Sequence, residues 1–280
     1  MTHRDAPLLL RALALSVTAA LGTVSAFILV SGAEALFRGR GLSLFGPVWD
    51  PAGGRFGILA MMWATVLLGA SSLCLGWTVS LGCCCALGGL VPKPLARALM
   101  GVLTLMSAVP TVVYGFAAVF LLVPLIREGL GGTGFCWLAA MLMVALQGVP
   151  TMTFVMDASV RSAVERTRLA AAALGMSRAE HLVWVALPLS RRAMLSAAVL
   201  GFGRAMGDAL LPAMLAGNAV RFARSPLDPM RTLTSHIALV LSSDIGGGEH
   251  LSLLLAGAML LIMCAAASLL ARRMGGGSSS

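Results

Sequence analysis

The sequence predicts an all-α membrane protein: six spanning helices in one bundle, with a single polar interruption near the middle. Three observations predict it. Of the 280 residues, 59% are hydrophobic and 11% charged, and the mean hydropathy is +0.93, an apolar balance well above that of soluble domains. The apolar residues gather into runs of bilayer-spanning length. The Lys and Arg residues fall mostly in alternate connections between those runs.

Residues 8–30 form the first span, with Arg11 as its only charge. At about 1.5 Å per residue it covers roughly 34 Å, enough for a hydrocarbon core. That run exceeds a signal-peptide h-region and reads as an anchor. Residues 31–56 form a polar loop containing Gly and Pro. Residues 57–91 hold the second span, and Pro92 to Arg97 a tight basic turn. Residues 95–126 supply the third span, interrupted by Pro110 and Pro124, and residues 127–134 a glycine-rich connection. Residues 135–156 are the fourth span, with Pro150 inside it. After the central polar stretch, residues 193–216 and 251–271 give the fifth and sixth spans, separated by a long polar segment, residues 217–250. No internal repeat is visible, and residues 275–280 read as a flexible tail.

With six spans and both termini inside, twelve basic residues fall inside: Arg4, Arg11, Lys93, Arg97, Arg161, Arg166, Arg168, Arg178, Arg191, Arg192, Arg272 and Arg273. Seven fall outside over longer loops: Arg38, Arg40, Arg55, Arg127, Arg221, Arg224 and Arg231. The bias predicts cytoplasmic termini and a cytoplasmic central loop.

That loop, residues 157–192, carries regular structure of its own. Leu169 to Leu174 is a run of helix formers, and Gly175 follows where a C-cap or tight turn belongs. Ser177, with Glu180 three residues on, is an N-cap signal for a second short helix that Pro188 ends. The arrangement resembles the coupling loop of ABC-importer permeases: E-A-A, three residues, G, nine residues, I, one residue, L-P. Ala170, Ala171, Gly175, Val185, Leu187 and Pro188 fall in register, while Leu169 stands where the family usually has Glu. The resemblance implies a type I importer permease of MetI-like core, residues 1–274 forming one domain. It also implies cytoplasmic coupling helices that dock on a separate ATPase subunit. Arg168, Ala170, Ala171, Gly175, Leu187 and Pro188 are then the coupling residues.

The fifth span contains Arg204 and Asp208, the one charge pair deep inside a span. Their spacing places them on one helix face, close enough to pair. Ionisable groups at bilayer depth face a bundle interior or a watery path, and Gly201, Gly203 and Gly207 thin the same helix. The pair therefore reads either as structural glue or as an anion path, with Arg204 attracting and Asp208 tuning. Gly203 to Asp208 also resembles the G-R-A-x-G-E segment of Pst-type phosphate permeases, with Asp for Glu. Leu215 to Asn218, Asp228 to Leu233, and Val109 to Gly115 resemble the same family. Pro110, Thr111 and Tyr114 join the path in that reading: the proline kinks the third span, and Tyr114, the only tyrosine, can donate to a phosphate oxygen; equally, Pro110 reads as an ordinary span kink and Tyr114 as an interfacial residue.

No catalytic set emerges: the four histidines are scattered, and no Walker A loop is present, so this chain is not the ATP-binding subunit. Cys74, Cys83, Cys84, Cys85, Cys136 and Cys264 lie in apolar runs, with neither metal spacing nor a disulfide framework. Nothing indicates nucleic acid. The expectation is a bacterial inner-membrane subunit of an ATP-driven phosphate importer that binds no cofactor itself. ATP and Mg belong to two copies of the partner ATPase. A second similar permease, an extracytoplasmic phosphate-binding protein and membrane lipid complete the partners. Importers of molybdate, tungstate or sulfate, an ion-coupled secondary transporter and a non-transporting assembly protein stand as alternatives.

Overall fold

A computed structural model describes residues 5–38, 45–241 and 247–275. Arg4, Arg40, Asp244 and the tail 276–280 lie outside them. The fold among the described residues is helical, apart from one two-stranded hairpin. Five helices are long and apolar enough to cross a bilayer: Arg11–Phe37, Leu59–Leu90, Thr111–Leu130, Trp137–Ala173 and Glu249–Leu269. A sixth crossing arises if the bent pair Arg178–Leu189 and Arg191–Gly207 counts as one span.

α1 (Asp5–Arg38) runs beyond the expected first span into what reads as loop in the sequence, and packs on α11 (Gly247–Gly275). Between α1 and α2 (Leu59–Cys85), strands β1 (Trp49–Asp50) and β2 (Arg55–Phe56) pair antiparallel, Trp49 opposite Phe56. Trp49 also meets His236 edge-on, ring centroids 4.4 Å apart. A π-helical turn, Ala86–Leu90, ends α2.

The third span differs from the sequence reading. It is two helices, α3 (Lys93–Ala108) and α4 (Thr111–Leu130). The residue before a proline is driven out of the helical region, and Val109 is extended (φ −74°, ψ 126°). Pro110 therefore does not kink a span. It is the N-cap of α4. α3 buries Leu103 alone and exposes Leu95, Val102 and Leu105.

The fourth span does not stop at residue 156. α5 (Trp137–Ala173) is one helix of 37 residues, because Ala, Arg and Glu fill residues 157–173 and no Gly or Pro interrupts them. At about 1.5 Å per residue it is roughly 55 Å long, against a hydrocarbon core of about 30 Å. A substantial part thus projects from the membrane. α2, α5 and α8 (Arg191–Gly207) meet at Met152, where Gly201 leaves room: a Cβ there would strike the Met152 side chain. Trp77 Nε1 donates to the Met194 carbonyl at 3.3 Å and ties α2 to α8.

Beyond α5 the chain turns back as an elbow: α6 (Arg178–Glu180), a π-helical stretch His181–Ala186, and α7 (Leu187–Leu189). Pro188 does not end this helix, contrary to the sequence expectation. Lacking an N–H, it leaves the Trp184 carbonyl without an α-helical partner, and the preceding turn widens to π while the helix continues to Leu189. The chain bends by 68° into α8. Leu182 and Ala186 of the elbow pack with Val160 and Ala163 of α5 in a core that includes Cys84 and Ala197.

The fifth span is also broken. α8 ends at Gly207, and α9 (Leu210–Leu215) follows. The long segment after it contains a further helix, α10 (Leu233–Leu241), packed on α2, α9 and α11.

Candidate functional site

Asp208 stands at the break in the fifth span, where Pro212 four residues on has no N–H for its carbonyl. Its backbone is extended (φ −73°, ψ 122°), and its Oδ1 accepts the N–H groups of Leu210 at 3.0 Å and Leu211 at 3.3 Å. That is a side-chain cap on the first turn of α9, which satisfies donors that the helix cannot. The Thr234 hydroxyl of α10 donates to the Asp208 carbonyl at 2.8 Å and holds the break in place. Arg204 sits in the last turn of α8. Among the described residues the two form no direct ion pair, contrary to the pairing the sequence spacing suggests.

A third side chain stands between them. Gln147 of α5 is 7% exposed. In the amide orientation that matches every donor to an acceptor, its oxygen accepts from Thr111 Oγ1 at 2.5 Å and Arg204 Nη2 at 3.2 Å. Its nitrogen donates to Asp208 Oδ2 at 2.9 Å. Thr111, Gln147, Arg204, Gly207, Asp208, Ala209 and Leu210 line a cavity of ≈ 390 Å³. Arg204 and Gly207 are exposed, as are the neighbouring apolar residues Val112, Val113, Leu200 and Leu210. The cavity thus lies on an uncovered apolar face of the bundle.

Of the residues singled out in the sequence, the structure brings Arg204, Asp208 and Thr111 together and leaves two aside. Pro110 and Tyr114 do not line the cavity. Pro110 has no N–H to offer the Met106 carbonyl four residues back; that carbonyl accepts the Val109 N–H at 3.4 Å and the Tyr114 hydroxyl at 2.8 Å. In this structure that hydroxyl braces the α3–α4 break.

The sequence reading passed over Gln147. Its signal was a lone strong hydrogen-bonding side chain inside an otherwise apolar stretch. It also missed Asp157, which the unexpected length of α5 carries into the bundle. Asp157 is 5% exposed and accepts from Arg161 Nε at 2.7 Å, so Arg204 and Asp208 are not the only charges set deep in the helices.

The elbow forms a second feature, about 36 Å along α5 from Gln147 at 1.5 Å per residue. Ala170 and Ala171 lie in the last turn of α5, and Gly175 has φ +70°. The N–H of Met176 bonds the Ala171 carbonyl at 3.1 Å and that of Gly175 bonds Ala172 at 3.0 Å, the paired closure of a Schellman motif. Ser177 and Glu180 form the expected capping box, and its backbone and hydroxyl hydrogen bonds hold the Glu180 carboxyl below the usual range. Arg168 is exposed and reaches Glu165 at 3.8 Å. Leu187 and Pro188 lie in α7. Leu169, Leu174 and Trp184 are exposed, and a cavity of ≈ 510 Å³ is lined by Trp184, Val185, Pro188, Leu189, Arg191 and Arg192.

At the far end of α5, Asp228 braces a loop. Its carboxylate accepts the N–H groups of Arg224 at 2.8 Å and Ser225 at 3.0 Å, and Arg221 Nη2 at 3.0 Å. Those backbone donors hold it below the usual carboxylate range. The carbonyls of Asp228 and Pro226 in turn cap Trp137 and Leu138, the first residues of α5. Met230 bonds the Ala216 carbonyl at 2.8 Å, and Arg231 Nε bonds Asn218 at 3.0 Å. Two stretches flagged separately in the sequence, residues 215–218 and 228–233, thereby form one unit.

A multi-pass helical bundle with a polar cavity at a helix break and an elbow at the end of its longest helix has the architecture of a membrane transport subunit. Residues 78–275 match the family described as binding-protein-dependent transport system inner membrane component, and the chain belongs to that family. It is 28% identical over 260 residues to the phosphate transport system permease protein PstC of Xylella fastidiosa (strain 9a5c), covering 85% of this chain and 79% of that one. It is 28% identical over 239 residues to the probable ABC transporter permease protein YqgH of Bacillus subtilis, covering 83% and 77%. The fold is shared with a chain of a bacterial alginate ABC transporter (TM-score 0.68, 15% identity, 96% of this chain and 94% of that one). A chain of the inward-facing MetNI methionine ABC transporter also shares it (TM-score 0.61, 15% identity, 78% and 94%).

Proposed function

We propose that this chain is a permease subunit of an ATP-driven inorganic phosphate importer. The observation that carries the proposal is the Arg204 guanidinium at the open cavity, in a chain whose relatives include phosphate transport system permease proteins. A guanidinium offers five donors in a fixed fork suited to an oxyanion, whereas an ammonium is a hydrated point charge. The Thr111 hydroxyl on the same wall adds a neutral donor once its bond to Gln147 is exchanged.

The remaining expectations follow from that reading. A second, similar permease covers the exposed face around Val112, Val113 and Leu210 and completes the path. Two copies of an ATPase, which uses ATP and Mg, receive the elbows, with Leu169, Leu174 and Trp184 available for apolar contact. An extracytoplasmic phosphate-binding protein delivers the anion to the opposite side, and both termini lie in the cytoplasm. Transport is by alternating access: displacement of the elbow is carried by the rigid length of α5 to the cavity wall. The chain itself performs no bond chemistry.

The test is radiolabelled phosphate uptake by the complete complex in vesicles, with subunit levels checked by blotting. Arg204→Gln is expected to abolish uptake while the complex still assembles. Normal uptake by a well-expressed Arg204→Gln complex would remove Arg204 from the path and return it to a structural role.

A further inference from the structure

Arg204 and Asp208 are opposite charges one helical turn apart in sequence, beside an apolar face. Such groups attract strongly when water is scarce, yet they make no direct ion pair among the described residues. Two features account for this. The helix ends at Gly207, so Asp208 leaves the helical path and turns one oxygen to the first turn of α9. The Gln147 amide then fills the space left, its oxygen on Arg204 and its nitrogen on Asp208. An amide is suited to that position because it carries an acceptor and a donor back to back and no charge. It satisfies the inner edge of the guanidinium with one hydrogen bond and leaves most of the five donors free. Gln147 itself is held by its own burial and by Thr111.

We propose that Gln147 is a positioning residue that keeps Arg204 and Asp208 apart, so that the guanidinium meets an arriving oxyanion rather than its own neighbouring carboxylate. The inference rests on Arg204 being in the phosphate path. Without the amide, Asp208 Oδ2 loses its partner and Arg204 swings to it. The transported anion must then compete with an internal carboxylate for the same fork.

The experiment uses the complete complex reconstituted in vesicles. The KM and maximal rate of radiolabelled phosphate uptake are measured in a background that transports without the binding protein, so that the affinity of the path itself is read. Gln147→Met and Gln147→Leu remove all three amide hydrogen bonds, to Thr111, Arg204 and Asp208, while keeping apolar bulk. Either is expected to raise the phosphate KM roughly tenfold, the loss expected when a charge-assisted hydrogen bond is diverted. The maximal rate should change much less. Adding Asp208→Asn to the Gln147 variant should bring KM back toward the parent value, because Asn can still cap α9 but no longer captures the guanidinium.

An unchanged KM overturns the proposal, and so does a raised KM that Asp208→Asn fails to restore. Failure of both Gln147 variants to assemble makes Gln147 a structural residue and overturns it as well. Arg204→Gln, run alongside, separates the two readings. If it transports normally, the path assignment has failed. If it is inactive while the Gln147 variants keep the parent KM, the positioning role alone has failed.

Discussion

At the residue scale, Asp208 does work that its charge alone does not reveal. One oxygen takes the Leu210 and Leu211 N–H groups and the other takes the Gln147 amide. The cap separates the two roles experimentally. Asp208→Ala removes the cap as well as the charge and should lower the thermal stability of the purified complex, by about 1 kcal/mol of helix-end stabilisation. Asp208→Asn keeps an oxygen for the cap and should melt close to the parent. Equal melting of the Ala and Asn variants would show that α9 does not depend on this side chain.

At the element scale, α5 and the elbow are one mechanical unit. α5 carries Gln147 on the cavity wall and Ala171 at the turn, and elbow residues Leu182 and Ala186 pack back onto Val160 and Ala163. The turn depends on Gly175 at φ +70°, where nothing lies within 4 Å of an added Cβ. A substitution there meets no clash, and its cost is that of left-handed backbone, roughly 1–2 kcal/mol for an ordinary residue and less for Asn. Gly175→Val and Gly175→Glu should therefore assemble normally but lower phosphate transported per ATP hydrolysed, with Gly175→Asn nearer the parent. The comparison is of uptake and hydrolysis on the same vesicles. An unchanged ratio in Gly175→Glu would mean that the elbow does not couple the two.

At the scale of the whole molecule, the two ends of α5 set the polarity of the bundle. The Asp228 loop caps its first residues, and the elbow closes its last turn. The π-helical turn after α2 lies at the elbow end, because a Cβ on Gly88 would meet the Leu182 side chain. Arg97, just after that turn, and Pro226, which caps the start of α5, therefore lie at opposite ends of the bundle. Reporter fusions at Arg97 and after Arg273 should report the cytoplasm, and one near Pro226 the outside. A fusion after Arg273 that reports outside would remove the even-span topology and the cytoplasmic elbow with it.

The amino-acid sequence alone determined the membrane class, the runs of spanning length, the Gly175 turn and the Ser177–Glu180 capping box. Each of these rests on composition or on backbone stereochemistry within a few residues, and such signals survive whatever the chain packs against. The same local rule, applied to Val109 and Pro110, marks the α3–α4 break, although the continuous apolar run hid it. The tertiary structure decided what Arg204 and Asp208 do. Their spacing predicted a pair, but the bond each makes depends on Gln147, delivered from another helix by packing at Met152, Gly76 and Gly201. Tyr114 shows the same limit: its hydroxyl goes to the Met106 carbonyl at the end of α3, a partner set by the angle between two helices. Capping and helix length are settled by neighbours along the chain. The pairing of buried polar groups is settled by which helices meet, and it is this pairing that builds the cavity.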